Sequence, residues 1–169
     1  RVERVGEHGL FTDAGEPVIL KKVQEDVAQH KGPVWTHVIS LRREDAQRLG
    51  YDRASQWMAL LRSKRAMLCR HMKIDSANLR WYAAFHNEGH HPHVHLVVYS
   101  AKENDGYLTK PSIEAMRSEL AHDIFRQDFA NLYEEQNQAR EELKSGAEDV
   151  LRQKLGELKN GALVNDRIE

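Results

Sequence analysis

Phe85-His86-Asn87-Glu88-Gly89-His90-His91-Pro92-His93-Val94-His95-Leu96-Val97-Val98-Tyr99 places five histidines within ten residues, between two apolar runs. The second run, His93 to Tyr99, alternates polar and apolar residues at its start and is rich in β-branched types, the pattern of a strand. The first, Asn78 to Phe85, reads the same way, and residues 86–92 form a polar connection with Gly89 and Pro92 as its turn residues. Two strands and a short connection predict an antiparallel hairpin.

Alternate residues of a strand share a face, so His93 and His95 point one way and Val94, Leu96 and Val98 the other. If the hairpin closes around Gly89-His90, His86 lies opposite His93 and the small Ala84 lies opposite His95. Directly opposed residues have Cβ atoms about 4.5–5.5 Å apart. Three imidazoles then converge on one side of the sheet. A one-residue slip would send His86 to the other face. Three protein ligands with positions left for water or substrate make a catalytic rather than a structural metal site. Imidazoles half buried in an apolar strand without partners would be costly, which favours a bound ion over idle histidines. His90 and His91, in the turn itself, read as surface residues. Glu88 is placed to accept the free ring N–H of a ligand histidine; the alternative is an ordinary turn residue.

Working outward, Pro17 to His30 carries Val18, Leu20, Val23 and Val27 at helical spacing and ends at Gly32-Pro33. Val34 to Leu41 reads as a strand. A short polar helix covers Glu44 to Leu49 and stops at Gly50. Asp52 is the expected N-cap of one long amphipathic helix reaching about Met72, with Trp57, Leu60, Leu61, Met67 and Leu68 as its stripe. Thr109 opens a helix from about Lys110 to Leu143, about 50 Å long. A break at Ser145-Gly146 and a short charged helix from Glu148 to Leu158 follow. Residues 1–15 read as an irregular lead-in. The sum is an α+β domain: a central antiparallel sheet with helices packed on one face, plus a C-terminal helical extension. The expected division is a core over 1–143, its N-terminal part missing, and a charged helical tail over 144–169.

Composition narrows the function classes. No apolar run approaches the roughly 20 residues of a membrane helix. One cysteine in 169 residues, Cys69, excludes a disulfide scaffold and a Cys-rich zinc site, and makes a reducing cytoplasm the default. The net charge is −1, but it is unevenly spread. Arg42 to Arg80 holds ten Lys or Arg against four acids; Glu114 to the end holds thirteen acids against eight bases. A basic middle beside an acidic tail suits one nucleic-acid-facing surface. Arg42 and Arg43, leaving the Val34–Leu41 strand, and Arg80, on the histidine face in this register, are the candidate phosphate contacts. His37 has no nameable partner and reads as a strand histidine.

The form His-x-acid-…-Pro-His-x-His, here His86-Asn87-Glu88-…-Pro92-His93-Val94-His95, resembles the relaxases of plasmid mobilisation, within the wider HUH endonuclease superfamily. Glu88 stands where the common form has Asp. Thr36-His37-Val38-Ile39-Ser40-Leu41 followed by acids, Gly6-Glu7-His8-Gly9-Leu10-Phe11 and Arg80-Trp81-Tyr82-Ala83-Ala84-Phe85-His86 are similar to the MobL/MobP-type branch. The resemblance spans roughly Val5 to Arg140. It implies a divalent metal on His86, His93 and His95, and a tyrosine hydroxyl that attacks one phosphate of single-stranded origin-of-transfer DNA, leaving a 5′-phosphotyrosine and a free 3′-OH. It implies Mn²⁺ or Mg²⁺ in function. Imidazole ligands favour Mn²⁺ of those two, and Zn²⁺, Ni²⁺ or Co²⁺ would be accepted in a purified sample. Accessory mobilisation or coupling proteins are the further partners it implies, with no membrane.

The resemblance implies a nucleophilic tyrosine near the N-terminus, in or before the first helix; no tyrosine precedes Tyr51, so it is expected upstream of Arg1. Within the chain, Tyr82 is the catalytic candidate on the histidine face, beside Glu88. Tyr51 and His8 are weaker candidates, and Tyr107 and Tyr133 read as structural. The alternatives are a metal-stabilised single-stranded-DNA-binding module, or an HUH protein of the replication-initiator type without nicking activity in this fragment. A three-histidine zinc hydrolase or cupin fits the helix content poorly.

Overall fold

The computed structural model describes residues 9–165, with side chains through Lys159. The elements run β1 (Leu10–Phe11), α1 (Leu20–Gln29), β2 (Val34–Ser40), α2 (Arg43–Leu49), α3 (Ala54–Ser63), α4 (Arg65–Met72), β3 (Leu79–His86), β4 (His93–Ser100), α5 (Lys110–Ile124) and α6 (Arg126–Asn165). The four strands form one antiparallel sheet in the order β1-β3-β4-β2. The chain is therefore α+β, as its pattern implies. The histidine-bearing strands β3 and β4 are interior, each hydrogen-bonded on both sides.

Alternation sorts the sheet into two faces. Trp81, Ala83, Val94, Leu96 and Val98 are each 2 % exposed or less and point into the core. They meet Trp57, Leu61, Leu68 and Met72 of α3 and α4, also at most 1 % exposed, and Met116, Leu120 and Ile124 of α5. The Trp57 indole N–H donates to the Tyr51 carbonyl at 2.8 Å, and the ring stacks near Phe85. Burying a whole indole with its single donor satisfied is worth roughly 3 kcal/mol of transfer free energy.

Several expected boundaries move. The lead-in contains a two-residue strand, β1, that pairs Leu10 with Ala84 and Phe11 with Ala83. Two residues are too short for periodicity to show. The single helix expected over 52–72 is two, α3 and α4, interrupted at Lys64 (φ −95°, ψ 6°). Lys64 forms an ion pair with Asp123 of α5. The N-cap is Arg53, without a side-chain cap bond, rather than Asp52. The helix expected over 110–143 ends at Ile124, and α6 then runs unbroken through Ser145-Gly146. One glycine costs a helix about 1 kcal/mol, which the surrounding Glu, Leu, Lys, Ala and Arg residues offset.

The contacts divide the chain into one compact unit ending at Ile124 and a second beginning at Phe125. The second unit is α6, about 60 Å long by its rise per residue. Among the described residues no helix is long and apolar enough to cross a membrane.

Candidate metal centre on the open face of the sheet

The β3–β4 register pairs His86 with His93 and Ala84 with His95. That is the pairing the sequence implies, and it puts three imidazoles on the face opposite the core. The ring centroids are 5.2 Å apart for His86–His93, 5.1 Å for His86–His95 and 5.0 Å for His93–His95. Ala84, with only a methyl group, leaves the rung of His95 open. On the other side, β2 contributes Ser40 opposite His93 and Val38 opposite His95. Val38 is 61 % exposed, so the surface beside the trio is open on the β2 side.

The rings are gathered, but their donor atoms are not yet focused. His86 and His93 lie nearly parallel, at 7°. Among the described residues no set of three His, Cys, Asp or Glu side chains holds its donors as a metal cage in these rotamers. Imidazole χ2 is a broad, two-fold torsion, so turning a ring costs little, whereas moving one to the other face would require re-registering the strand. The Nδ1–H of His93 donates to the His91 carbonyl at 3.0 Å, which leaves Nε2 as its free lone pair. A ring nitrogen fixed by backbone in this way is the usual support of a ligand histidine. Partial burial, then the neighbouring His93 and His86, hold the His95 imidazole below its ordinary pKa, while Glu88 pulls it up. Neutral imidazole is the form that binds metal. In donor type and number, and in sharing one face of the sheet, the trio fits a divalent ion once the rings turn.

The remaining candidates separate. Glu88 lies in the turn, close enough to act on His95. Tyr82 is on the same face, but four residues from His86, about 14 Å along the strand. Its hydroxyl is bonded to that of Tyr99, and burial raises both pKa values, Tyr99 to about 12. A raised pKa disfavours the phenolate that attack requires. Tyr51 is buried against Trp57. His8 lies outside the described residues.

Arg80 is further still, on the rung of Tyr99, with Nη1 donating to the Ala77 and Leu79 carbonyls at 3.1 and 2.9 Å. It borders a cavity of about 830 Å³ beneath α1, shared with Tyr82, Tyr99, Asp26 and His30. That cavity holds none of the trio. Arg42 is exposed at the start of α2. Arg43 is committed to the histidine turn. His37 pairs with Leu96 on the core face, where burial lowers its pKa and its Nε2 has no partner among the described residues. It takes no part in the trio.

Sequence reasoning missed Ser40 and Val38 as neighbours of the site. The spacing of β2 alone does not reveal which strand lies beside β4.

The chain matches no curated protein and no solved structure. The family model for MobL relaxases matches residues 6–169, nearly the whole chain. A match of that extent includes the histidine hairpin, the sheet that carries it and the long C-terminal helix, and it assigns the chain to the MobL relaxases, a family of DNA-nicking enzymes.

Proposed function

We propose that this chain is the metal-dependent core that nicks single-stranded origin-of-transfer DNA during plasmid mobilisation. The observation that carries the reading is the triangle of His86, His93 and His95, 5.0–5.2 Å on a side, on an exposed sheet face. When bound there, a divalent ion, Mn²⁺ before Mg²⁺, would act as a Lewis acid on a phosphodiester. The chain's own part is positional. His93 presents Nε2 because its Nδ1 is held by backbone. Glu88 stands by His95 as a carboxylate that orients the ring or takes up a proton. The open surface beside Val38 and Ser40 suits a polymer laid across it better than a small molecule enclosed by it. Arg42, exposed beside the site, is the phosphate contact we retain.

The test is anomalous diffraction at the manganese edge from crystals soaked in Mn²⁺. The expected peak lies among the three imidazoles. A peak elsewhere, or none at saturating Mn²⁺, would refute the metal-dependent reading; a peak among the imidazoles with no cleavage of single-stranded DNA would favour the metal-stabilised binding module instead.

A further inference from the structure

Arg43 opens α2, on the chain segment that leaves β2, yet its hydrogen bonds go to the β3–β4 turn. Its Nε donates to the Gly89 carbonyl at 2.8 Å, Nη1 to Asn87 Oδ1 at 2.6 Å and Nη2 to the Glu88 carbonyl at 3.0 Å. Its backbone N–H donates to the His90 carbonyl at 3.0 Å. Residues 87 to 90 are thus each held from one residue. Asn87 passes the connection on, its Nδ2 donating to the Asp52 carbonyl at 3.2 Å. The neighbouring Leu41 N–H donates to the Pro92 carbonyl at 3.1 Å.

The turn needs this support. It spans six residues between His86 and His93, and its own backbone supplies one hydrogen bond, His91 N–H to the Glu88 carbonyl at 3.2 Å. Gly89 sits at φ 26°, away from any standard turn value. A connection of that length does not fix hairpin register by turn type, as a two-residue one would. Yet His86 and His93 are its two flanking residues, and Glu88 lies inside it.

We propose that Arg43 is a positioning residue for the histidine trio. By clamping the turn it holds His86 opposite His93 and Glu88 near His95, so that the three imidazoles stay gathered where ring rotation alone can bring them onto a divalent ion. The proposal rests on the reading of the trio as a metal site. Three diverging acceptors fit the planar fork of a guanidinium; a lysine ammonium at the end of a flexible stem reaches one of them at a time.

The experiment is a Co²⁺ titration of the whole chain, following affinity by calorimetry and ligand geometry by the visible d–d bands. Wild type, Arg43→Ala, Arg43→Lys and Asn87→Ala are compared, with circular dichroism to establish folding. Loss of support around a ligand histidine typically weakens metal binding by about 10–100-fold. Arg43→Ala is expected in that range with altered band intensities, Arg43→Lys close to it, and Asn87→Ala a few-fold weaker. Wild-type affinity and spectrum in Arg43→Ala overturn the proposal and leave the metal site standing. Full rescue by Arg43→Lys overturns the fork, showing that charge alone matters. If Arg43→Ala does not fold, Asn87→Ala and Arg43→Lys both within twofold of wild type overturn it. Failure of wild type to bind Co²⁺ removes the metal reading itself.

Discussion

His86 and His93 face each other across the β3–β4 ladder with ring planes only 7° apart and centroids 5.2 Å apart. Two parallel imidazoles cannot direct lone pairs to one point, so metal binding must turn at least one of them. His93 is tied by Nδ1 to the His91 carbonyl, whereas among the described residues no such tie holds His86. In the metal-loaded state we expect His93 to coordinate through Nε2 with that bond intact, and His86 to have rotated. Nitrogen-15 spectra of the histidine side chains during Mn²⁺-mimetic Zn²⁺ titration would read the tautomers directly. Coordination of His93 through Nδ1 would contradict the expectation.

Removing ligands should separate binding from folding. His95 is exposed and His93 half-buried, so His93→Ala with His95→Ala should cost the fold no more than about 1 kcal/mol, as surface changes do. Metal affinity should fall by more than the roughly 100-fold seen when only a supporting group is lost. Calorimetry with Mn²⁺ and a urea melt on the same sample decide it. Unchanged affinity in the double variant would rule out the trio as the site.

The placement of the three histidines on one face is far more legible in the sequence than the helix boundaries. A strand has an exact period of two, so once His93 and His95 were assigned to β4, their shared face followed without tertiary information. The register follows from the apolar pattern of the two strands, since a one-residue slip would turn one strand's core residues to the other face. By contrast, the interruption at Lys64 lies where α4 and α5 meet, with Lys64 reaching Asp123, 59 residues away, and no local pattern announces it. That Arg43 reaches turn carbonyls and an amide is not legible in the sequence. Backbone acceptors leave no trace in side-chain chemistry.

The Tyr82–Tyr99 pair yields an alkaline prediction. Burial pushes Tyr99 up to about 12, above the ordinary tyrosine value of 10.0. The folded state therefore keeps a proton that the unfolded state releases, and stability is full below pH 10 and falls as pH rises towards 12. Tyr82→Phe, which removes one hydroxyl of the bonded pair, should cost about 1 kcal/mol and flatten that alkaline loss. It should leave Mn²⁺ affinity unchanged. Ultraviolet titration of tyrosinate and denaturant melts at pH 8 to 12 would measure both. Loss of DNA nicking in Tyr82→Phe with metal binding intact would restore Tyr82 as nucleophile.

Acid should act at the α4–α5 contact. Glu119 accepts from His71 Nε2 at 2.6 Å and from Arg70 Nη2 at 2.7 and 2.8 Å, and these bonds hold its carboxyl below its ordinary value of 4.5. A depressed folded-state pKa contributes stability above pH 4.5 that disappears as pH drops through the lowered value. The carboxylate is 39 % exposed, so solvent screening keeps the contribution well under about 1 kcal/mol. Glu119→Gln should lose this small increment at pH 7 and match wild type near pH 3. A difference that persists undiminished at pH 3 would mean that packing, not charge, is what the glutamate supplies.

Two glycines should respond to alanine in opposite directions. A Cβ on Gly32 would lie 2.5 Å from the Glu103 carbonyl oxygen and 2.7 Å from its Cα. Both are backbone atoms, so the loop after β4 would have to move, and overpacking of this kind costs about 1–3 kcal/mol. Gly146 lies inside α6 with nothing within 4 Å of its Cβ position. There alanine meets no neighbour and gains the helix propensity that glycine lacks, about 1 kcal/mol. Gly32→Ala should therefore lower the unfolding midpoint of the sheet unit. Gly146→Ala should raise the helicity of α6, read by circular dichroism at 222 nm on warming, and leave that midpoint alone. Helicity unchanged by Gly146→Ala would mean that a bend at Ser145-Gly146, as their turn-forming chemistry suggests, is present in solution after all.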